Sequence, residues 1–308
     1  MSLIEEIKEY WDLRSSDFSD SVLYDLDNSS DKIASRIDGY LSGHDIKDVL
    51  DLGCGPGFFT LALGSRGYRI VGVDYSDKMI AEARKNATDR NIDAEFAVMD
   101  AQDLGFLDSS FDLVISRNLF WCLEHPETAY REVLRVLRPG GMAIISDGNY
   151  YLHLYDEDYA SSKRSDTERH AAEPAKDGHF HFNKNNVDFG IIENIARDLP
   201  LSREERPLWD VGTLMGLGCD DIKIHTYRRN GELVMSFDIV FFKGDADGNR
   251  YRCEDDGRLP SLYVQEDNVH RIVHSGHVHH VRLCHHRRFI EHQHVGRIFW
   301  DMEPLLQP

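Results

Sequence analysis

Three short stretches carry residues whose types and spacing could hold a ligand with a ribose and an anionic end. The first is Val49-Leu50-Asp51-Leu52-Gly53-Cys54-Gly55-Pro56-Gly57, in which Gly53, Gly55 and Gly57 can take the positive φ that a sharp turn under a ligand demands. The helix that follows offers unpaired N–H groups to an anion. The second is Asp74, at the end of the next apolar run, where a carboxylate can accept two hydrogen bonds from a ribose diol. The third is Asp100-Ala101-Gln102-Asp103-Leu104, where a carboxylate can receive an exocyclic amine. Dinucleotide-binding turns read G-x-G-x-x-G, with the third glycine allowing close helix–strand packing, whereas this loop puts Phe58 there. That substitution counts against an NAD-type oxidoreductase.

These stretches need an alternating scaffold. Lys47–Leu52, Tyr68–Val73, Ala94–Met99, Phe111–Ser116 and Met142–Ser146 read as strands. Phe58–Ser65, Ser76–Asn86 and Glu127–Leu137 read as helices, the last stopping at Arg138-Pro139-Gly140-Gly141. The rhythm predicts a parallel sheet covered by helices on both faces. Before it, residues 1–46 read as two cover helices, one carrying Ile4, Ile7, Tyr10 and Trp11, the other capped by Ser30 or Asp31 and carrying Ile33, Ile37 and Leu41. After the fifth strand the polar stretch 149–206, with a helix at Val187–Asp198, is expected to be a lid insertion at the ligand edge of the sheet. Helix Trp209–Leu217 and strands Asp221–Tyr227 and Glu232–Phe242 then complete a domain spanning 1–243.

Residues 244–308 form an extension of different composition, and nine of its histidines, from His270 to His294, crowd one window. Imidazoles so spaced suit zinc, nickel or copper, but ordered Cys/His pairs of the structural-zinc kind are missing and no metal ligands are assigned. A metal-handling role for this extension remains a rival reading. The chain carries a formal charge of −19, which disfavours a nucleic-acid partner. Five cysteines without CxxC spacing suggest reduced thiols, and the acidic start and short apolar runs suggest a cytoplasmic protein without a membrane span.

Together with Gly72-Val73-Asp74-Tyr75-Ser76, Phe111-Asp112-Leu113-Val114-Ile115-Ser116 and Leu137-Arg138-Pro139-Gly140-Gly141, the opening motifs resemble the class I S-adenosylmethionine (SAM)-dependent methyltransferases, particularly the methyltransferase type 11 group. The resemblance covers about residues 45–148. It implies a Rossmann-like α/β fold, with a seven-stranded, mainly parallel sheet whose last strand is antiparallel. It implies SAM as cofactor, with Gly53, Gly55 and Gly57 holding the methionine moiety and Asp51 bracing them. Asp74 would bind the ribose, Tyr75 and Met79 flank the adenine, and Asp100 and Ala101 meet its edge. Arg117 and Asn118 would face the amino acid end and the methyl group. Tyr10-Trp11-Asp12-Leu13-Arg14-Ser15 is similar to a cover helix over SAM, with Tyr10 or Trp11 packing there and Arg14 meeting the carboxylate.

Methyl transfer from a sulfonium is an in-line displacement that asks chiefly for alignment, so the chain need not display a catalytic residue. Where a base is needed, His125, Tyr150 and His153 are the candidates, with Asp147, Asn149, His179 and His181 nearby. Phe120, Trp121, Tyr150 and Tyr151 are placed to wall an acceptor pocket. The expected partner is a small-molecule methyl acceptor, a homodimer being left open. A catalytically silent SAM-binding regulatory or scaffolding protein is the alternative reading.

Overall fold

A computed structural model describes residues 2–172, 182–229, 232–244, 269–274, 277–282 and 297–301. The chain begins with one continuous helix, α1 (Leu3–Leu41), where two were expected. Its buried apolar residues form two sets, Ile7 and Tyr10, three apart, and Val22, Leu26, Ile37 and Leu41, four and eleven apart, and the second set shares one face. Packing of that face carries the helix through the polar stretch at residues 28–31, where local capping preference alone would end it.

The sheet is built from β1 (Asp48–Leu52), β2 (Arg69–Asp74), β3 (Glu95–Val98), β4 (Phe111–Arg117), β5 (Leu137–Gly148), β6 (Asp221–Arg229) and β7 (Leu233–Phe242). Between them run α2 (Phe58–Leu63), α3 (Asp77–Asp89), α4 (Pro126–Val136), α5 (Glu157–Ala172), α6 (Gly190–Ala196) and α7 (Leu208–Gly216). The strand order is β6-β7-β5-β4-β1-β2-β3, with β7 antiparallel to both neighbours and the other pairs parallel. This is the expected seven-stranded arrangement.

An eighth strand, β10 (Arg297–Asp301), adds to it in parallel beside β6, so part of the C-terminal extension joins the sheet edge. The extension also contains an antiparallel pair, β8 (Val269–His274) and β9 (His277–Arg282), which places five of the nine clustered histidines on two paired strands. His285, His286, His292 and His294 lie outside the described residues, as do Cys253 and Cys284.

Two apolar layers sandwich the sheet. One joins Leu50, Val114, Ala143 and Ile145 to α4 and α7 through Tyr130, Val133 and Leu214. The other joins Val49, Leu113, Ile115 and Ile144 to α1 and α2 through Leu26, Ile37 and Phe59. Parallel strands buried on both faces account for the nearly unbroken apolar runs of β1, β4 and the second half of β5. The strand order reverses beside β1, which opens a crevice at the carboxyl ends of β1 and β4.

One buried charge cluster ties the segment after β5 to this scaffold. Arg206 is 1% exposed; its Nη1 donates to Asp147 at 2.7 Å, and its Nε and Nη2 donate to Asp210 at 2.8 and 2.6 Å. Asp210 also accepts from the Tyr130 hydroxyl. Among the described residues, no helix is long and apolar enough to cross a membrane.

Candidate functional site

The crevice holds a cleft of about 820 Å³ counting its mouth, within the range of small-molecule and cofactor sites. Gly53, Gly55, Asp74, Tyr75, Met79, Asp100, Ala101, Arg117 and Asn118 line it, so most residues expected to share a ligand do share one cavity. Each follows a strand end or begins the next helix, which is why widely spaced sequence positions converge.

The turn after β1 is held from behind. Asp51 is 2% exposed, and its Oδ2 accepts from the Thr60 amide at 2.8 Å and hydroxyl at 2.7 Å, so it braces the loop without facing the cleft. Gly57, at φ 97°, caps α2 in the left-handed region, a conformation that favours glycine. It too lies behind the cleft wall. At Gly53, also left-handed, a Cβ would come within 2.8 Å of the Leu119 side chain.

Asp74 closes the end of β2. Its Oδ2 accepts from Gly55 N–H and its Oδ1 from Ser76 N–H, both at 2.9 Å. Burial outweighs those bonds and pushes its carboxyl up to about 6. The same cause carries Asp51 to about 6. Ser76 caps α3 by accepting from Met79 N–H, and its hydroxyl donates to Asp12 of α1. Met79 is 2% exposed, so its presence in the wall and its place in the packing of α3 are both real. Asp100 Oδ1 accepts from the Gln102 amide at 2.9 Å, which fixes the turn beyond β3.

Helix α1 supplies the outer wall. Ile4, Ile7, Lys8, Trp11 and Phe18 line the cleft, with Trp11 and Phe18 rings 5.3 Å apart. Trp11 was anticipated there. Tyr10 instead packs into an apolar cluster with Trp121 and Ile195. Lys8, Phe18, Met99, Gln102, Leu119 and Leu123 were not anticipated. Adjacency to Asp100 could have suggested Met99 and Gln102, whereas nothing local marks Lys8 or Phe18.

Arg14 is not in this wall. It is 6% exposed; its Nη1 donates to the Phe182 carbonyl at 3.1 Å and lies 3.7 Å from Asp17, and the guanidinium stacks 4.9 Å from the Phe189 ring. The structure therefore corrects the expected carboxylate contact: at the edge of the helical face that carries Ile7, Trp11 and Phe18, the Arg14 guanidinium is taken up by Phe182, Asp17 and Phe189 and fastens the segment after β5 onto α1.

A second, more open cavity of about 1750 Å³ counting its mouth adjoins the first, and Arg117 and Asn118 line both. Its floor is a row across the sheet, Arg117 opposite Ser146 and Ser146 opposite Asp238. Asn149, Tyr150, His153, Tyr159 and Lys163 bring the segment after β5 into its wall, while Ile33 and Arg36 come from α1.

Asn118 stands at the junction with φ 58°. Its N–H donates to the Ser146 carbonyl at 2.9 Å, its carbonyl accepts from the Trp121 indole at 2.9 Å, and its Oδ1 accepts from the Tyr150 hydroxyl at 2.6 Å. Arg117 stacks 3.8 Å from the Phe58 ring centroid and reaches Asp25 at 2.9 Å. Phe58, expected to obstruct dinucleotide packing, thus lies against α1 in the core and lines the second cavity.

The candidate bases separate. His125 is an exposed helix cap outside both cavities. The Tyr150 hydroxyl donates to Asn118 Oδ1, so it serves as a hydrogen-bond donor at the junction. His153 Nδ1 lies 3.0 Å from the Tyr150 carbonyl, which only accepts, so that nitrogen carries the proton and Nε2 the lone pair. Lys163 Nζ donates to Nε2 at 2.6 Å, and burial with this neighbouring cation lowers the His153 pKa. Asp147 and Asn149 are occupied by Arg206. Phe120 stacks on Tyr130 at 4.3 Å, and Trp121 and Tyr151 pack on each other at 5.1 Å, leaving Tyr150 alone of the four expected aromatics in the cavity wall. His179 and His181 lie outside the described residues.

Residues 50–145 match the family model described as a methyltransferase domain. Over 129 residues the chain is 37% identical to a cypemycin N-terminal methyltransferase from Streptomyces sp., covering 40% of this chain and 51% of that one. Over 101 residues it is 38% identical to a demethylmenaquinone methyltransferase from Thermus thermophilus, covering 32% and 46% respectively. The chain thus spans about half the length of these relatives. A solved structure from Methanococcus maripaludis, assigned as an S-adenosyl-L-methionine-dependent methyltransferase, shares the fold at 24% identity and TM-score 0.50, over 75% of this chain and 92% of that one.

Proposed function

We propose, from a chain whose residues 50–145 match a methyltransferase domain of the class I SAM-dependent kind, that it transfers the methyl group of SAM to a small-molecule acceptor. The observation that carries this reading is the cleft itself: the strand-end carboxylates Asp74 and Asp100, the glycine turn and the apolar walls of Met79 and Met99 share one cavity beside a second. Those residues fit the cofactor's chemistry. Asp74 offers its carboxylate to a ribose diol, Tyr75 and Met79 present flat and soft surfaces to an adenine, and Asp100 with Ala101 stands at its amino edge. Gly53 and Gly55, with Asp51 and Gly57 behind them, leave room for the methionine end.

When bound, SAM supplies an electrophilic methyl on a sulfonium, which an acceptor's lone pair takes by in-line displacement. The chain's own part is alignment. Asn118, held at its amide, carbonyl and side chain, fixes the wall between the two cavities, and alignment at near-attack distance is where most of the rate is gained. Arg117, immobilised on Phe58, sets the other side of that junction. For an acceptor that must lose a proton, His153 Nε2 is the base, freed when Lys163 turns toward Glu193, 3.2 Å away.

Calorimetry with S-adenosylhomocysteine and NAD side by side tests the cofactor. Binding of the former alone is expected. Tight NAD binding without S-adenosylhomocysteine binding would sink the proposal.

A further inference from the structure

The second cavity has three permanent cations and three carboxylates in its wall, but they differ in what they present to an entering molecule. Asp147 is fully covered and holds Arg206. The Asp238 side chain is 1% exposed and saturated: Oδ1 accepts from Ser146, and Oδ2 accepts from the Tyr40 and Tyr227 hydroxyls at 2.9 Å each. Asp166, with 21% of its side chain exposed, is ion-paired to Arg229. The Arg36, Arg117 and Lys163 side chains are 32%, 28% and 48% exposed. Lys163 is shared between His153 and Glu193, and Arg117 is stacked and paired.

Arg36 is likewise paired, to Asp238, and lies 5.6 Å from the Tyr227 ring, but it stands at the Asp238 end of the row, away from the junction that Arg117 occupies. Its Nη1 donates to the Tyr227 hydroxyl at 3.0 Å, and its Nε lies 3.3 Å from Asp238 as an ion pair without hydrogen-bond geometry. Its Nη2 has no partner among the described residues. A planar fork held by its own floor, with N–H donors left over, is suited to a carboxylate.

Resting on the function proposed above, we propose that the methyl acceptor carries a carboxylate, that Arg36 receives it, and that a flat body reaches from there to the Asn118 junction. The row from Asp238 through Ser146 to Arg117 crosses two strand spacings, about 10 Å, which separates the carboxylate end from the reacting end by one ring and a short linker. The half-buried Tyr227 ring supplies flat surface along the way, backed by the buried Phe58 and Phe237. A cationic acceptor would find each carboxylate of this wall already engaged.

The test uses the full chain saturated with S-adenosylhomocysteine, titrated with benzoate, benzamide, benzylamine and phenyl phosphate by protein-observed NMR. Benzoate is expected to bind at least tenfold tighter than benzamide or benzylamine, and tighter than phenyl phosphate. Arg36→Gln should erase the preference for benzoate over benzamide to within twofold, while Arg36→Lys retains part of it. S-adenosylhomocysteine affinity should stay within twofold in both variants, which also reports that they fold. Benzylamine or benzamide matching benzoate, a preference that survives Arg36→Gln, or undetectable benzoate binding each overturns the proposal. Phenyl phosphate binding more tightly overturns the choice of a carboxylate. Failure of the wild-type chain to bind S-adenosylhomocysteine is a separate result and defeats the reading beneath it.

Discussion

Asp74 combines two backbone donors with a carboxyl pushed up to about 6, so its charge state changes within an accessible pH range. A ribose diol donates hydrogen bonds and therefore prefers the ionised form. Replacing the side chain removes charge-assisted bonds, so Asp74→Ala should weaken S-adenosylhomocysteine binding by about 1.5–3 kcal/mol in calorimetry. The sign of the pH effect follows from the raised pKa. Below about 6 the group is neutral and a poorer acceptor, so affinity should climb as pH rises through about 6 and level off above it. Asp74→Asn should flatten that climb; a wild-type profile flat from pH 5 to 7.5 would show that the ribose is held elsewhere. Asp51, also near 6, faces Thr60 rather than the cleft and should add nothing to the climb; the Asp74 charge helps to raise it, so Asp74→Asn should also lower the Asp51 pKa.

Among the elements, the strands and the glycine turn could be read from sequence because their signals are local. Apolar runs, turn residues and strand-end acids fall within a few positions of one another. Helix α1 could not be read in the same way. Its continuity depends on burial of Val22, Leu26 and Ile37 against distant strands, and its ligand-facing residues Lys8, Phe18 and Arg36 have no neighbour in sequence that marks them. Arg14 shows the limit most directly, since an arginine near Trp11 has the right charge and nearly the right helical face for a carboxylate, but its guanidinium is held by Phe182, Asp17 and Phe189, which are not its neighbours on the cleft wall. Arg14→Ala should leave S-adenosylhomocysteine affinity unchanged and speed hydrogen exchange across residues 182–187, because the Phe182 carbonyl and Asp17 lose their partner. A tenfold loss of affinity would place Arg14 at the ligand after all. Arg206 anchors the same segment from beneath. Arg206→Leu strands Asp147 and Asp210 in the interior and should cost about 3–5 kcal/mol in urea denaturation, the scale of a broken buried ion pair. A loss below about 1 kcal/mol would mean that water reaches the cluster.

For the molecule as a whole, the described residues that line the two cavities come from positions 4–238. The part beyond residue 244 that the structure describes is a histidine-bearing strand pair and the edge strand β10. A chain ending at Gly244 should therefore bind S-adenosylhomocysteine within twofold of the full chain. It should also self-associate more readily by sedimentation, because β6 then becomes an uncovered sheet edge. Loss of binding in that shortened chain would tie the extension to the cleft.

Helix α1 has one further consequence. At 39 residues it is about 58 Å long, with Lys8, Trp11 and Phe18 at one cavity and Ile33 and Arg36 at the other. One rod walls both cavities, so any shift of α1 on filling one is felt at the other. Linkage then requires that whatever factor filling one cavity imposes on the other be returned with the same size and the same sign.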